Sequence, residues 1–220
     1  MLLANKVAIN YIPLPSVISF IQIVASCFII FGLKLFGVQV DSLEWAKVKP
    51  YALYIGCFVG SIYTNMIALY YSNVETVIVF RACSPIAVTI IEYLFMDRAM
   101  ISLRSAVSLS IVAVGAVAYC LSESQLSLDG PASLFWSFIY LILITIEMTY
   151  GKKLTSTVKM ETVWGPVLYC NVLAALPMFL LGYVNGDYAT AWPQLQALDF
   201  NALLVLGFSC ITGTLIGYAR

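Results

Sequence analysis

Seven long apolar runs alternate along the chain with short polar connections. A bilayer-crossing helix needs ~20 mainly apolar residues. That ruler predicts spans at 13–34, 50–71, 76–96, 104–122, 131–151, 163–184 and 200–219. The stretch from Met1 to Ile12 is equally apolar but too short to cross, and it carries neither a basic leader nor a small-residue cleavage site,. It reads as the second half of a first helix, which numbers the complete spans two to eight. The expected fold is an all-α polytopic membrane helix bundle in one domain.

The basic residues in the connections sort by loop. Lys34, Lys47 and Lys49 follow span two; Arg98 and Arg104 lie in the second basic connection; Lys152, Lys153 and Lys159 lie in the third. The intervening loops near 72–75, 123–130 and 185–199 hold no lysine or arginine and carry Glu75, Glu123, Asp129, Asp187 and Asp199. Lysine and arginine bias orients membrane helices, so the basic loops are expected in the cytosol. The net charge of zero, from 11 basic and 11 acidic residues, therefore hides a strong sidedness.

Composition then removes whole classes of function. Hydrophobic residues make up 62% and charged residues 10%, far from the ~25% charged of soluble domains. Histidine is absent, which removes His-based triads and the commonest zinc sites. No phosphate-cradling glycine loop and no Gly-x-Ser-x-Gly elbow occurs,. No basic tract points to nucleic acid. An enzyme, a metal and a cofactor are all unexpected. Cys27, Cys57, Cys83, Cys120, Cys170 and Cys210 fall inside spans without a Cys-x-x-Cys pair and read as small packing residues,. Gly56 with Gly60, and Gly213 with Gly217, read as close helix contacts,.

The informative residues are the polar ones within the spans. Arg81 stands several residues inside span four, where a central arginine costs at least ~2.5 kcal/mol on insertion scales. Helical spacing puts Ser84, Pro85, Val88 and Glu92 near its face,. Pro85 crowds the carbonyl four residues earlier, that of Arg81 itself. The stripe reads either as an anion site in a cavity or as an arginine that snorkels or pairs with Glu75. Lys6, beside Asn5, is either a second intramembrane cation or the flank of a frayed end. Asn65, next to Tyr63 and Thr64, lines a cavity or bonds a neighbouring helix. Glu147 is expected near the cytosolic end of span six, meeting Lys152 or headgroups. In span seven, Pro166 and Pro177 suggest a bent helix. There Tyr169 and Asn171 lie ~200° apart on an ideal helix and do not face one ligand unless it is distorted.

Several segments together carry a resemblance. They are Asn5-Lys6; Tyr63-Thr64-Asn65; Ser72-Asn73-Val74-Glu75-Thr76 with Val79-Phe80-Arg81; Glu92-Tyr93-Leu94-Phe95; Glu147-Met148-Thr149-Tyr150; and Val163-Trp164-Gly165 through Leu168-Tyr169-Cys170-Asn171. They resemble the nucleotide-sugar transporters of the drug/metabolite transporter superfamily, within them the GDP-mannose/GDP-fucose group.

The resemblance implies ten helices in two inverted five-helix repeats, here 1–122 and an incomplete 131–220, with both termini cytosolic. It implies antiport across the Golgi membrane by alternating access, a nucleotide sugar entering the lumen in exchange for a nucleoside monophosphate. A UDP-sugar, a sugar phosphate or a non-transporting truncated isoform are the alternatives. Substrate-binding residues are then expected at Arg81, Lys6, Asn5, Asn65, Ser84, Tyr169 and Asn171. Membrane lipid is an expected partner, and a homodimer is compatible with the chain. Two departures stand out. The family's Phe/Leu-Tyr-Asn-Asn motif is here Leu168-Tyr169-Cys170-Asn171, and Cys170 does not supply an amide's donor and acceptor together,. The Gly-Ala-Leu-Asn-Lys-like motif of helix nine would lie beyond Arg220, so the reading frame is expected to be partial.

Overall fold

The computed structural model describes residues 2–95, 103–122, 130–196, 198 and 200–219. Among them the chain forms helices α1 (Leu2–Tyr11), α2 (Pro15–Leu35), α3 (Trp45–Tyr71), α4 (Val74–Phe95), α5 (Leu103–Ser122), α6 (Gly130–Thr157), α7 (Trp164–Val184), α8 (Asp187–Gln196) and α9 (Phe200–Ala219), and no strand. Helices α2, α3, α4, α6 and α7 are long and apolar enough to cross a membrane, and α5 and α9 contribute shorter apolar stretches at Leu103–Ala116 and Ala202–Leu215. The protein is the expected all-helical membrane bundle. Arg98, Glu123, Asp129 and Asp199 lie outside the described residues, as do the surroundings of Cys120 and Gly217.

Three boundaries differ from the sequence expectation. Helix α3 starts at Trp45, where the carbonyl of the extended Glu44 accepts the amides of Lys47 and Val48. Helix α6 continues to Thr157. The connection 185–199, expected to be a loop, contains α8. Ten residues with Pro193 among them hold no apolar run long enough to stand out. Helix α8 forms because Tyr188 packs on Phe20 of α2 and Phe179 of α7, the tertiary support a short helix needs.

Apolar side chains cover the outside of the bundle as well as filling its core. Phe28, Leu53, Ile111, Val114, Leu176 and Phe208 face outward, toward what lipid would cover, while Ser16, Ser19, Gln22, Ser26, Ser61, Thr64, Glu147 and Ser209 are buried. With no water in hydrocarbon, polar side chains find partners on neighbouring helices or on the backbone of their own,.

Packing follows a crossed pattern. Helix α2 lies on α7, α3 on α6 and α7, α1 and α2 on α9, and α4 between α5 and α6. Gly60 lets α6 come close, since a Cβ there would stand 3.4 Å from Leu143, and Gly151 does the same for the Tyr54 ring at 3.3 Å. Gly56 meets nothing, so one half of that small-residue pair serves packing. The connections sort to two ends. Asp41, after α2, bonds the segment entering α7, and Lys152 of α6 pairs with Glu92 of α4. These contacts gather the basic end. At the other, Lys6 meets the last carbonyls of α3, Ser72 meets Ser133 and Ser137, and Ser16 meets Asp187.

Candidate functional site

The expected site residues fall into separate groups on different helices. Arg81 and Ser84 lie on α4, two to three turns past Val74,. Pro85 frees the Arg81 carbonyl as its ring chemistry requires, and the buried Ser84 hydroxyl donates to that carbonyl. Ser84 thus heals the break that Pro85 makes, and α4 remains helical through it. The Arg81 guanidinium is partly buried, and no hydrogen bond or ion pair to it is described among these residues. Glu75, the carboxylate considered as its structural partner, is exposed. Glu92 lies farther along α4 and is bound to Lys152 at 2.9 Å. A cation within an apolar span and an intact local backbone are what a mobile anion would need at this place.

Lys6 is placed differently. Its ammonium donates to the carbonyls of Leu69 at 2.6 Å and Ser72 at 2.7 Å. These are orphan acceptors at the negative end of the α3 dipole, where a cation is stabilising. Neighbouring Asn5 is fully buried and points elsewhere. Its Oδ1 accepts from Gln22 at 3.0 Å and from Ser209 at 2.7 Å, and Gln22 also donates to Ser209 at 2.6 Å. This triangle joins α1, α2 and α9, and Ser26 with Thr214 at 2.8 Å extends the seam. The Asn5 amide nitrogen has no partner among the described residues, nor does the Asn65 carbonyl oxygen on α3. Each is a directed polar group inside the bundle.

The α7 residues diverge as their angular spacing requires. Tyr169 is fully buried, packs its ring 5.5 Å from that of Tyr51, and donates its hydroxyl to the Ser42 carbonyl at 2.7 Å while accepting the Glu44 amide at 2.7 Å. Its polar atom is thereby engaged by the α2–α3 connection. Asn171 donates back to the Val167 carbonyl at 2.8 Å. Helix α7 runs unbroken: Pro166 falls in its first turn, where no intrahelical donor is lost,.

Glu147 corrects an expectation. It lies more than two turns before the end of α6 and is buried, with its carboxylate accepting from Tyr54 at 3.2 Å and from Ser61. Its described partners are on α3 rather than at the helix end, because the longer α6 carries it inward, while Lys152 pairs with Glu92. Gln22, Ser209 and Asp41 went unread in the sequence. Gln22 carried a signal, an amide two turns into an apolar run; Ser209 and Asp41 carried none.

No family model matches the chain. It is 30% identical over 220 residues to "GDP-fucose transporter 1" of Arabidopsis thaliana, an alignment covering 97% of this chain and 63% of the relative. It is also 30% identical over 224 residues to "GDP-mannose transporter GONST3" of Arabidopsis thaliana, covering 97% and 58%. Along nearly its whole length this chain is similar to these two GDP-sugar transporters. The resemblance read from Asn5-Lys6 through Asn171 is borne out, and with it a membrane bundle related to transporters rather than to enzymes. The chain spans about three fifths of the length of either relative.

Proposed function

We propose that the chain forms the larger part of an antiporter that carries a GDP-sugar, GDP-mannose or GDP-fucose, into the Golgi lumen in exchange for GMP. The observation that carries this reading is Arg81. A guanidinium inside an apolar span, with no described protein partner and a repaired backbone beside it, suits a pyrophosphate entering low dielectric. An anion so desolvated requires a fixed cation. The names of the two relatives support the substrate class. The basic loops face the cytosol in this reading, and Asn5 and Asn65 offer one spare donor and one spare acceptor to the cargo.

The crossed packing supports two inverted repeats, 1–122 and 131–220. Exchanging α1 with α6, α2 with α7 and α3 with α9 turns the α3–α6 contact into α9–α1 and α3–α7 into α9–α2. It leaves α2–α7 in place. All of these contacts occur, as alternating access between two related halves would have them.

The test is Arg81→Ala in the full-length protein, reconstituted in vesicles. GDP-sugar/GMP exchange is expected to vanish while membrane insertion and yield persist. Normal exchange would remove Arg81 from the site. A UDP-sugar is the second reading, because Cys170 stands where the family motif has an amide and the Tyr169 hydroxyl is engaged by Ser42 and Glu44. Competition by guanine and uracil nucleotides separates the two.

A further inference from the structure

We propose that Asp41 and Asp187 are reciprocal gate latches, one at each end of the α2–α7 pair. The connection leaving α2 turns at Gly37, two residues past Leu35, in the left-handed conformation with φ 89°. It then delivers Asp41 to the entrance of α7. There the buried carboxylate accepts the amides of Glu161 at 3.2 Å and Thr162 at 3.3 Å and the Thr162 hydroxyl at 3.1 Å. The connection leaving α7 turns at Gly186, two residues past Val184, with φ 73°. It delivers Asp187 to the first turn of α2, where Ser16, itself fully buried, donates to its carboxylate.

Each helix of the central pair thus has its N-terminus seated on a carboxylate from the strap that leaves the other. The left-handed glycine is what lets each strap reverse so sharply after its helix. The carboxylate is suited to the positive end it meets. Room has been made for it: a Cβ on Gly165 would run into the Asp41 carboxylate. A second tie backs each latch. Tyr169 holds Ser42 and Glu44 at the Asp41 end, and Asn185 donates to the Tyr63 hydroxyl at 2.8 Å at the other.

These contacts can be undone at small cost compared with the seams that hold the bundle. The Asp41 strap is held mainly by hydrogen bonds: Phe36 and Leu43 along it are exposed, and Val40 packs against Ile30, Val167 and Leu168. Lifting it gives up the packing of Val40 and little other apolar burial. The Asp187 end is stiffer, because Tyr188 follows directly and wedges between Phe20 and Phe179, with Gly182 making space for its ring. That burial, with Asp187 beside it, also pushes the Tyr188 phenol above its ordinary range. The two latches have the same logic and unequal strength, so the Asp41 end opens first.

What the latches gate rests on the transporter reading; whether they open is testable without it. The full-length protein is reconstituted in sealed vesicles and exposed to a membrane-impermeant maleimide from each side in turn, with labelled sites read by mass spectrometry. Native Cys170, partly buried beside Tyr169, reports the Asp41 end. Ile12→Cys, in the buried cluster that α8 covers, reports the Asp187 end. Asp41→Asn is expected to speed Cys170 labelling about tenfold, as the loss of one charge-assisted hydrogen bond implies, and to leave the Ile12→Cys reporter unchanged. Asp187→Asn gives the mirror result with a smaller factor. Labelling that rises at both ends in either variant, or at neither, overturns the latches. Should Asp41→Asn fail to insert, Tyr169→Phe removes the second tie at the same end, keeps the ring in place and carries the same expectation. Sided labelling without GDP-sugar exchange by the unmutated protein sinks the transport reading alone; exchange with unsided labelling sinks the latches alone.

Discussion

Glu147 is a structural brace between α3 and α6, and truncating it measures how much that seam holds. Its carboxylate is buried and accepts from Tyr54 and Ser61. Replacement by alanine deletes both acceptors and leaves Ser61 with the Phe58 carbonyl. Interhelical hydrogen bonds in membrane proteins average about 0.6 kcal/mol each, so the pair accounts for ~1.2 kcal/mol. The lost side-chain packing against the Tyr54 ring adds a comparable amount, and the expected cost is about 2 kcal/mol. Relief of the carboxylate's own desolvation lowers that figure, which is why it stands below the cost of breaking a buried ion pair. Glu147→Gln keeps the length and one acceptor, and a hydroxyl can rotate to accept from the new amide. Its cost is expected below about 1 kcal/mol. The assay is thermal unfolding in detergent followed by far-UV circular dichroism, with all three proteins at one lipid-to-protein ratio. Melting of the alanine variant level with the unmutated protein would refute the brace. Lost exchange in the glutamine variant with unchanged melting would instead show that the charge itself is used.

Two further outcomes follow from the packing. Asn5→Ala and Ser209→Ala, combined in a double-mutant cycle on the melting midpoint, are expected to show coupling of about 0.6–1.7 kcal/mol, because Asn5 Oδ1 accepts directly from Ser209; strict additivity would dissolve the α1–α9 tie. Gly165→Ala is expected to destabilise by about 1–3 kcal/mol, since the new methyl meets the Asp41 carboxylate, whereas Gly56→Ala, with nothing around it, is neutral or stabilises slightly,; equal effects in the same unfolding assay would refute this reading of the two glycines.

The apolar runs by themselves determined that the chain is a bundle of membrane helices, because burial in hydrocarbon depends on length and composition alone. The residues from Asn5-Lys6 to Asn171 also carried the kinship with GDP-sugar transporters. Local covalent logic was legible too: Pro85 freeing the Arg81 carbonyl, and Tyr169 and Asn171 facing apart, both follow from helix geometry within one span. Partnership between spans was not legible. Glu147 could be assigned to Lys152 because the two lie within two turns of each other, yet Tyr54 and Ser61, 93 and 86 residues away in the chain, hold it. Lys6 bonds carbonyls 63 and 66 residues distant, and a backbone acceptor leaves no mark in a side-chain pattern. The same holds for Asp41 and Asp187. Asp187 read as an ordinary acidic loop residue and Asp41 went unread, until the crossing of α2 with α7 brings each to the N-terminus of the other's helix, because a hydrogen bond requires a direction and a distance that only the packed chain defines.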